Sequence, residues 1–197
     1  MNLLAHAYLS FDHTEILIGN MIGDFVRGKQ YLKYPIEIQK GILLHRQIDN
    51  FTDTHPINIA TKKIFQPKVR LYASAFLDIA YDHFLAIQPG IYSPSEWKTH
   101  IHGWYYSIGN DVKDLPIPFQ KMFHYMEAED WLFNYRYPQQ IEESFEGLVH
   151  RAQYLPNELD VFPLFENNYA YLQQQFQIFF PELKQFVQEY LDKNISS

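Results

Sequence analysis

Imidazole and carboxylate side chains fall at positions that an amphipathic chain would bury: His6, Asp24, His45, Asp49, Asp78, Asp82 and His83. The densest run is Gly41-Ile42-Leu43-Leu44-His45-Arg46-Gln47-Ile48-Asp49-Asn50-Phe51-Thr52-Asp53. Successive helical residues turn by about 100°, so His45 and Asp49, four apart, lie one above the other. Ile38, Ile42 and Ile48 flank the pair on the same wheel. A charge on such a face is costly unless it is paired, holds a metal or does chemistry. Asp78 and Asp82 repeat the spacing in a stretch that is apolar almost all the way round. Two stacked, buried carboxylates repel, so a cation lies between them or one is protonated. His83 points about 100° away from Asp82.

These residue types, without thiolate, suit manganese, magnesium, iron or zinc. Helical bundles build such sites from side chains on facing helices. A metal held this way polarises a phosphoryl oxygen and lowers the pKa of its water. Arg27 and Arg46 lie close in sequence to Asp24 and His45, and an arginine fork matches a phosphate or a carboxylate. Each element also has a structural reading. His6 alone reads best as a hydrogen-bonded core histidine, and Asp24 as a helix-end carboxylate paired with arginine. His45–Asp49 reads as an i,i+4 hydrogen bond, as does Arg46 with Asn50 or Asp49. Structural ion-pair networks use the same residues as metal sites, so both readings stay open. His100 and His102 sit beside Trp104, Tyr105 and Tyr106 and read as a packed or exposed aromatic helix. Glu142, Glu143 and Glu146 read as a solvated face. The sequence has no phosphate-cradling glycine loop, no serine-nucleophile motif and no zinc-protease His-Glu spacing.

The elements that must position these groups are all helical. Residues 2–10 form a short helix carrying His6. A second starts near Asp12 or Thr14, either of which can cap it, and runs towards Asp24. Pro35 suits the first turn of the next helix, which carries His45 and Asp49 and stops before Pro56. A helix over 56–65 precedes a buried one from about Pro67 to Ile87. Pro89-Gly90 ends that helix, and Ser93 or Ser95 caps the next, which runs to about Gly109. Residues 111–118 form a loop; helices follow over 119–127, 130–136 and 138–153. A last helical stretch, 163–193, is broken or bent at Pro181. No run alternates as a strand does. The expectation is an all-α, single-domain helical bundle over residues 1–197.

Composition agrees. The 197 residues are 47% hydrophobic and 17% aromatic, which favours one tightly packed core over disorder. A net charge of −7 argues against a general nucleic-acid binder. With no cysteine, disulfide and thiolate chemistry are excluded. No apolar run approaches a membrane span or a signal peptide, so the chain reads as soluble and cytoplasmic. One asymmetry stands out: Thr54 to Leu77 has no acidic residue but carries Lys62, Lys63, Lys68 and Arg70. Two readings stand side by side: chance plus helix-end charge, and a dock for an acidic partner.

Several of these motifs resemble the bacterial acyl carrier protein phosphodiesterases. They are Asn2-x-Leu4-Ala5-His6, Gly19-Asn20-x-x-x-Asp24-Phe25-Val26-Arg27-Gly28, Gly41-Ile42-x-x-His45-Arg46-x-Ile48-Asp49-x-x-Thr52-Asp53 and Leu77-Asp78-x-x-x-Asp82-His83-Phe84. Trp131-Leu132-x-x-Tyr135-Arg136 and Phe176 to Pro181 are also similar, while 88–125 matches little. The family is regarded as an atypical branch of the HD phosphohydrolases, so the resemblance implies an HD-like, metal-dependent all-α fold. It implies hydrolysis of holo-acyl carrier protein to apo-acyl carrier protein and 4′-phosphopantetheine, with manganese the expected metal. A metal-activated water would attack phosphorus in line, with the serine oxygen leaving. Expected ligands are His45, Asp24, Asp82 and His83, then His6. Asp49 would orient His45 or act on the water; Arg27 or Arg46 would neutralise phosphoryl charge. Carrier protein, small and strongly acidic, would dock on Lys62, Lys63, Lys68 and Arg70. The alternatives are an HD-like phosphohydrolase acting on a nucleotide or other small phosphate ester, and a non-catalytic helical binding module.

Overall fold

A computed structural model describes residues 1–195. Its helices are α1 (Leu3–Tyr8), α2 (Thr14–Ile22), α3 (Ile36–Thr54), α4 (Pro56–Thr61), α5 (Gln66–Val69) and α6 (Ala73–Ile87). They continue as α7 (Pro94–Asp111), α8 (Ile117–Ala128), α9 (Trp131–Asn134), α10 (Pro138–Arg151), α11 (Phe162–Asn167) and α12 (Tyr169–Ile195). Short 3₁₀ turns join several of them, and no strand occurs among the described residues. The fold is all-α around one hydrophobic core that draws on every long helix, with α6 buried on nearly all sides. Among the described residues no helix is long and apolar enough to cross a membrane.

The site depends on how α1, α2, α3 and α6 meet. Gly19 of α2 and Gly41 of α3 face each other: a Cβ on Gly19 would overlap the Ile38 carbonyl, and one on Gly41 the Ile16 carbonyl. The missing side chains let the two backbones touch. Alanine normally gains about 1 kcal/mol over glycine inside a helix. Forcing a methyl into packed backbone costs about 1–3 kcal/mol or more and cannot be relieved by a rotamer change. We therefore expect Gly41→Ala to lower the denaturant midpoint despite its better helix propensity. A higher midpoint would show that α2 and α3 are packed less closely.

α1 has six residues, too few to persist alone. It is held by Asp82 of α6, whose two carboxylate oxygens accept the N–H groups of Leu4 (2.7 Å) and Ala5 (3.1 Å). Those are donors that a helix N-terminus leaves without intrahelical partners. Asn2 adds a bond from Nδ2 to the Tyr135 hydroxyl at 2.9 Å.

Several boundaries differ from the sequence-based expectation. His13 is the N-cap of α2 and offers no side-chain cap. Asp12 has φ 61° and turns its carboxylate towards the Trp104 indole N–H, 3.4 Å away. The helix expected over 56–65 ends at Thr61 and passes into a 3₁₀ turn. The one expected from Pro67 breaks at Arg70, which takes φ 51°, before α6 begins at Ala73. The C-terminal stretch breaks at Asn168, whereas α12 runs through Pro181. Ser93 does cap α7, in a reciprocal capping box with Glu96.

Candidate metal centre

α3 puts His45 and Asp49 on its buried face, and α1 and α2 close over them. Gly23, just past α2, has its bare Cα against the His45 ring, where any side chain would collide with the imidazole. The His6 and His45 rings stack with centroids 4.1 Å apart and planes 18° from parallel. Asn20, in the last turn of α2, fixes both. Its side-chain Oδ1 lies 2.7 Å from His6 Nδ1, and its backbone carbonyl 2.8 Å from His45 Nδ1. Carbonyl oxygens only accept, so both histidines carry a proton on Nδ1 and donate it. The amide orientation is set by Nδ2, which donates to the His6 carbonyl (2.7 Å) and to Ser10 Oγ (3.1 Å).

With Nδ1 engaged, both Nε2 atoms face Asp49. Oδ1 of Asp49 is 3.2 Å from His6 Nε2, and Oδ2 is 3.1 Å from His45 Nε2. The His6 nitrogen is buried and has no well-directed hydrogen bond. Asp24, in the 3₁₀ turn after α2, brings Oδ1 to 3.2 Å from His45 Nε2. Its side chain is 77% exposed and that of Asp49 35%, so the cluster opens to solvent on the Asp24 side. Nitrogen and oxygen atoms of His6, His45 and Asp49 all lie within 4.8 Å of one another. Two imidazoles, one of them with a buried Nε2 that makes no directed hydrogen bond, and a carboxylate make a three-atom donor set that fits a divalent cation.

The electrostatics follow from this crowding. Burial, then the charge of His45, lowers the His6 pKa to about 4, leaving it neutral. Burial also opposes charge on His45, but its bonds to Asp24 and Asp49 outweigh that and raise it to about 9. Asp49 is held far below the carboxylate range: burial opposes its charge, and its contacts with His45 and His6 more than offset this. The bond to His45 lowers Asp24 as well. The Met1 α-ammonium lies 3.4 Å from Oδ1 of both Asp49 and Asp78. Asp78 is nevertheless pushed up to about 6, chiefly by burial.

The structure thus brings together His6, Asp24, His45 and Asp49. Asp82 and His83, expected among the ligands, are engaged elsewhere. Both Asp82 oxygens are occupied by the α1 backbone, and burial raises that carboxyl to about 8 against those two bonds. His83 donates from Nδ1 to the Tyr135 carbonyl and accepts the Tyr169 hydroxyl at Nε2, both at 2.8 Å. Both His83 nitrogens therefore have partners outside the His6–His45–Asp49 cluster. Arg46 has partners in the neighbouring loop. Its Nη2 donates to the carbonyls of Val26 (2.9 Å) and Gly28 (2.8 Å), and its guanidinium lies over the Tyr31 ring at 5.3 Å. It clamps the loop after Asp24, whereas Arg27 is exposed at that loop's start. Lys63, Lys68 and Arg70 are exposed; Lys62 is half-buried in a small cleft with Asp53 and Asp78. Asn20 was not expected as a site residue. Its signal is present: an amide between Ile16, Leu17, Ile18 and Met21, Ile22, in a stretch of α2 buried from Ile16 to Ile22.

The family model described as "Acyl carrier protein phosphodiesterase" matches residues 1–183. Curated relatives bear the same name. One from Enterobacter sp. (strain 638) is 32% identical over 187 residues, 93% of this chain and 95% of that one. Others from Yersinia pestis and Photorhabdus laumondii are each 31% identical, covering 93% and 92% of this chain and 95% and 92% of theirs. No solved structure matches.

Proposed function

The chain belongs to the acyl carrier protein phosphodiesterase family, and from that premise we propose that it hydrolyses holo-acyl carrier protein to the apo form and 4′-phosphopantetheine, using a divalent metal at the His6–His45–Asp49 cluster. The observation that carries the metal reading is the pair of Nε2 atoms. Their Nδ1 protons are committed to Asn20, and one Nε2 is buried without a directed partner. His6, His45 and Asp49 would hold the ion, with Asp24 available beside His45 on the solvent side. Manganese is the metal expected for the family. When bound, such an ion polarises a phosphoryl oxygen and lowers the pKa of water.

The protein's own groups do the rest. Asn20 fixes which nitrogen of each imidazole carries the proton, an orientation task that metal sites delegate to neighbouring side chains. Asp49 turns one oxygen to each histidine, so we assign it to holding the ion instead of to proton abstraction. Arg27, exposed three residues after Asp24, is the arginine we assign to offset charge on the phosphoryl oxygens. Arg46 shapes the loop that carries it. The acidic carrier protein is drawn to Lys63, Lys68 and Arg70, with Lys62 turned partly towards the cleft. Action in the cytoplasm suits a chain with no cysteine.

The test is to incubate holo-carrier protein with the enzyme and manganese and follow its conversion to the apo form by mass. Conversion that stops on chelation is expected. No conversion, from a preparation that cleaves other phosphodiesters, would refute the substrate assignment.

A further inference from the structure

The loop between α2 and α3 has features that a metal centre does not require. From Phe25 to Ile36 it contains no acidic residue, in a chain of net charge −7, but carries Arg27, Lys29 and Lys33, all exposed. It also exposes two large aliphatic side chains, Leu32 (58%) and Ile36 (63%). These stand out because the loop is well anchored from inside. Tyr31 and Tyr34 pack against the core, and Gln39 donates to the Tyr34 carbonyl at 2.8 Å. Arg46 holds the carbonyls of Val26 and Gly28. Successive short bonds tie Gln30 to Arg27, Leu32 to Lys29 and Tyr34 to Tyr31. Binding a partner to this loop would therefore cost little ordering entropy.

Its position matters as much as its composition. The loop begins directly after Asp24, at the edge where the cluster opens to solvent. It ends at the start of α3, a helix about 27 Å long at 1.5 Å per residue. Lys63, Lys68 and Arg70 follow the other end of that helix, and His45 lies midway. A small folded domain is about 30 Å across. Cations with exposed aliphatic side chains among them fit an acidic surface that has apolar residues interspersed, since complementary charge steers encounter and apolar anchors hold it.

We propose that the loop from Arg27 to Ile36 is a docking surface for the acidic carrier protein, with Lys29 and Lys33 steering it and Leu32 and Ile36 anchoring it at the mouth of the site. The proposal rests on the carrier-protein reading above. It is tested by fluorescence anisotropy with labelled apo-carrier protein, which binds without turnover, over a range of salt concentrations. Lys29→Glu/Lys33→Glu is expected to weaken binding at least about tenfold and to flatten its salt dependence. Leu32→Ser/Ile36→Ser is expected to weaken it by a similar factor with the salt dependence kept. Circular dichroism and denaturant midpoints check folding, and the milder Lys29→Gln/Lys33→Gln serves if charge reversal perturbs it. Loop variants that bind like wild type, with only Lys63→Glu/Lys68→Glu weakened, would overturn the proposal. Wild-type conversion of holo-carrier protein is followed in parallel. Its failure removes the carrier-protein reading itself, whereas conversion with unaffected loop variants removes only the dock.

Discussion

Asp49→Asn is expected to reduce hydrolysis of holo-carrier protein by roughly a thousandfold, about 4 kcal/mol of transition-state stabilisation. The substitution is isosteric, so the packing of α3 should survive. What changes is that one of two oxygens facing imidazole nitrogens becomes an NH₂ group, and the negative charge is lost. An amide cannot serve both histidines, and a cation loses its only carboxylate among the three close ligands. If His45–Asp49 were simply an i,i+4 structural bond, the outcome would be reversed: measurable destabilisation with activity within a few-fold of wild type. Steady-state kinetics and a denaturation curve on the same preparation separate the two.

Asp82→Ala is expected to do the opposite, with its largest effect on stability. It strands the N–H groups of Leu4 and Ala5 in a fully buried position. Each orphaned donor costs about 1–3 kcal/mol, so a loss of roughly 2–6 kcal/mol is expected from denaturant unfolding. Asp82→Asn keeps one acceptor and should lose less. His6 follows Ala5 directly, so a loosened α1 also loosens one imidazole of the site, and activity falls as a consequence. Excess manganese should restore part of the activity of Asp82→Asn, because the ion stabilises the folded arrangement of His6 and His45. A stable Asp82→Ala protein that binds no metal would return Asp82 to the ligand set.

These two aspartates mark the boundary of what periodicity could reveal. The helix of His45 and Asp49 was legible because Ile38, Ile42 and Ile48 share its wheel, and all three are buried as that pattern demands. Asp82 carried the same signature of a carboxylate on an apolar helix. Its partner is a helix N-terminus 78 positions away in the chain, and spacing within one helix says nothing about what packs across it. His83 was opaque for the same reason, its partners Tyr135 and Tyr169 arriving from distant segments. Arg46 looked like a phosphate ligand because it neighbours His45, but a guanidinium serves carbonyls equally well, and only the fold shows Val26 and Gly28 beneath it. Helix boundaries failed where backbone conformation overrode propensity, as at Arg70 with φ 51°. The all-α fold was readable because it needs only many helical patterns and no alternating ones.

Titration of manganese into metal-free protein, read by calorimetry, tests the central claim most directly. Wild type should bind the ion saturably, His6→Gln and Asp49→Asn should lose that binding while remaining folded, and His83→Gln should keep it. Wild type that binds no divalent ion, or His6→Gln and Asp49→Asn variants that bind it as wild type does, would contradict a metal centre built on His6, His45 and Asp49.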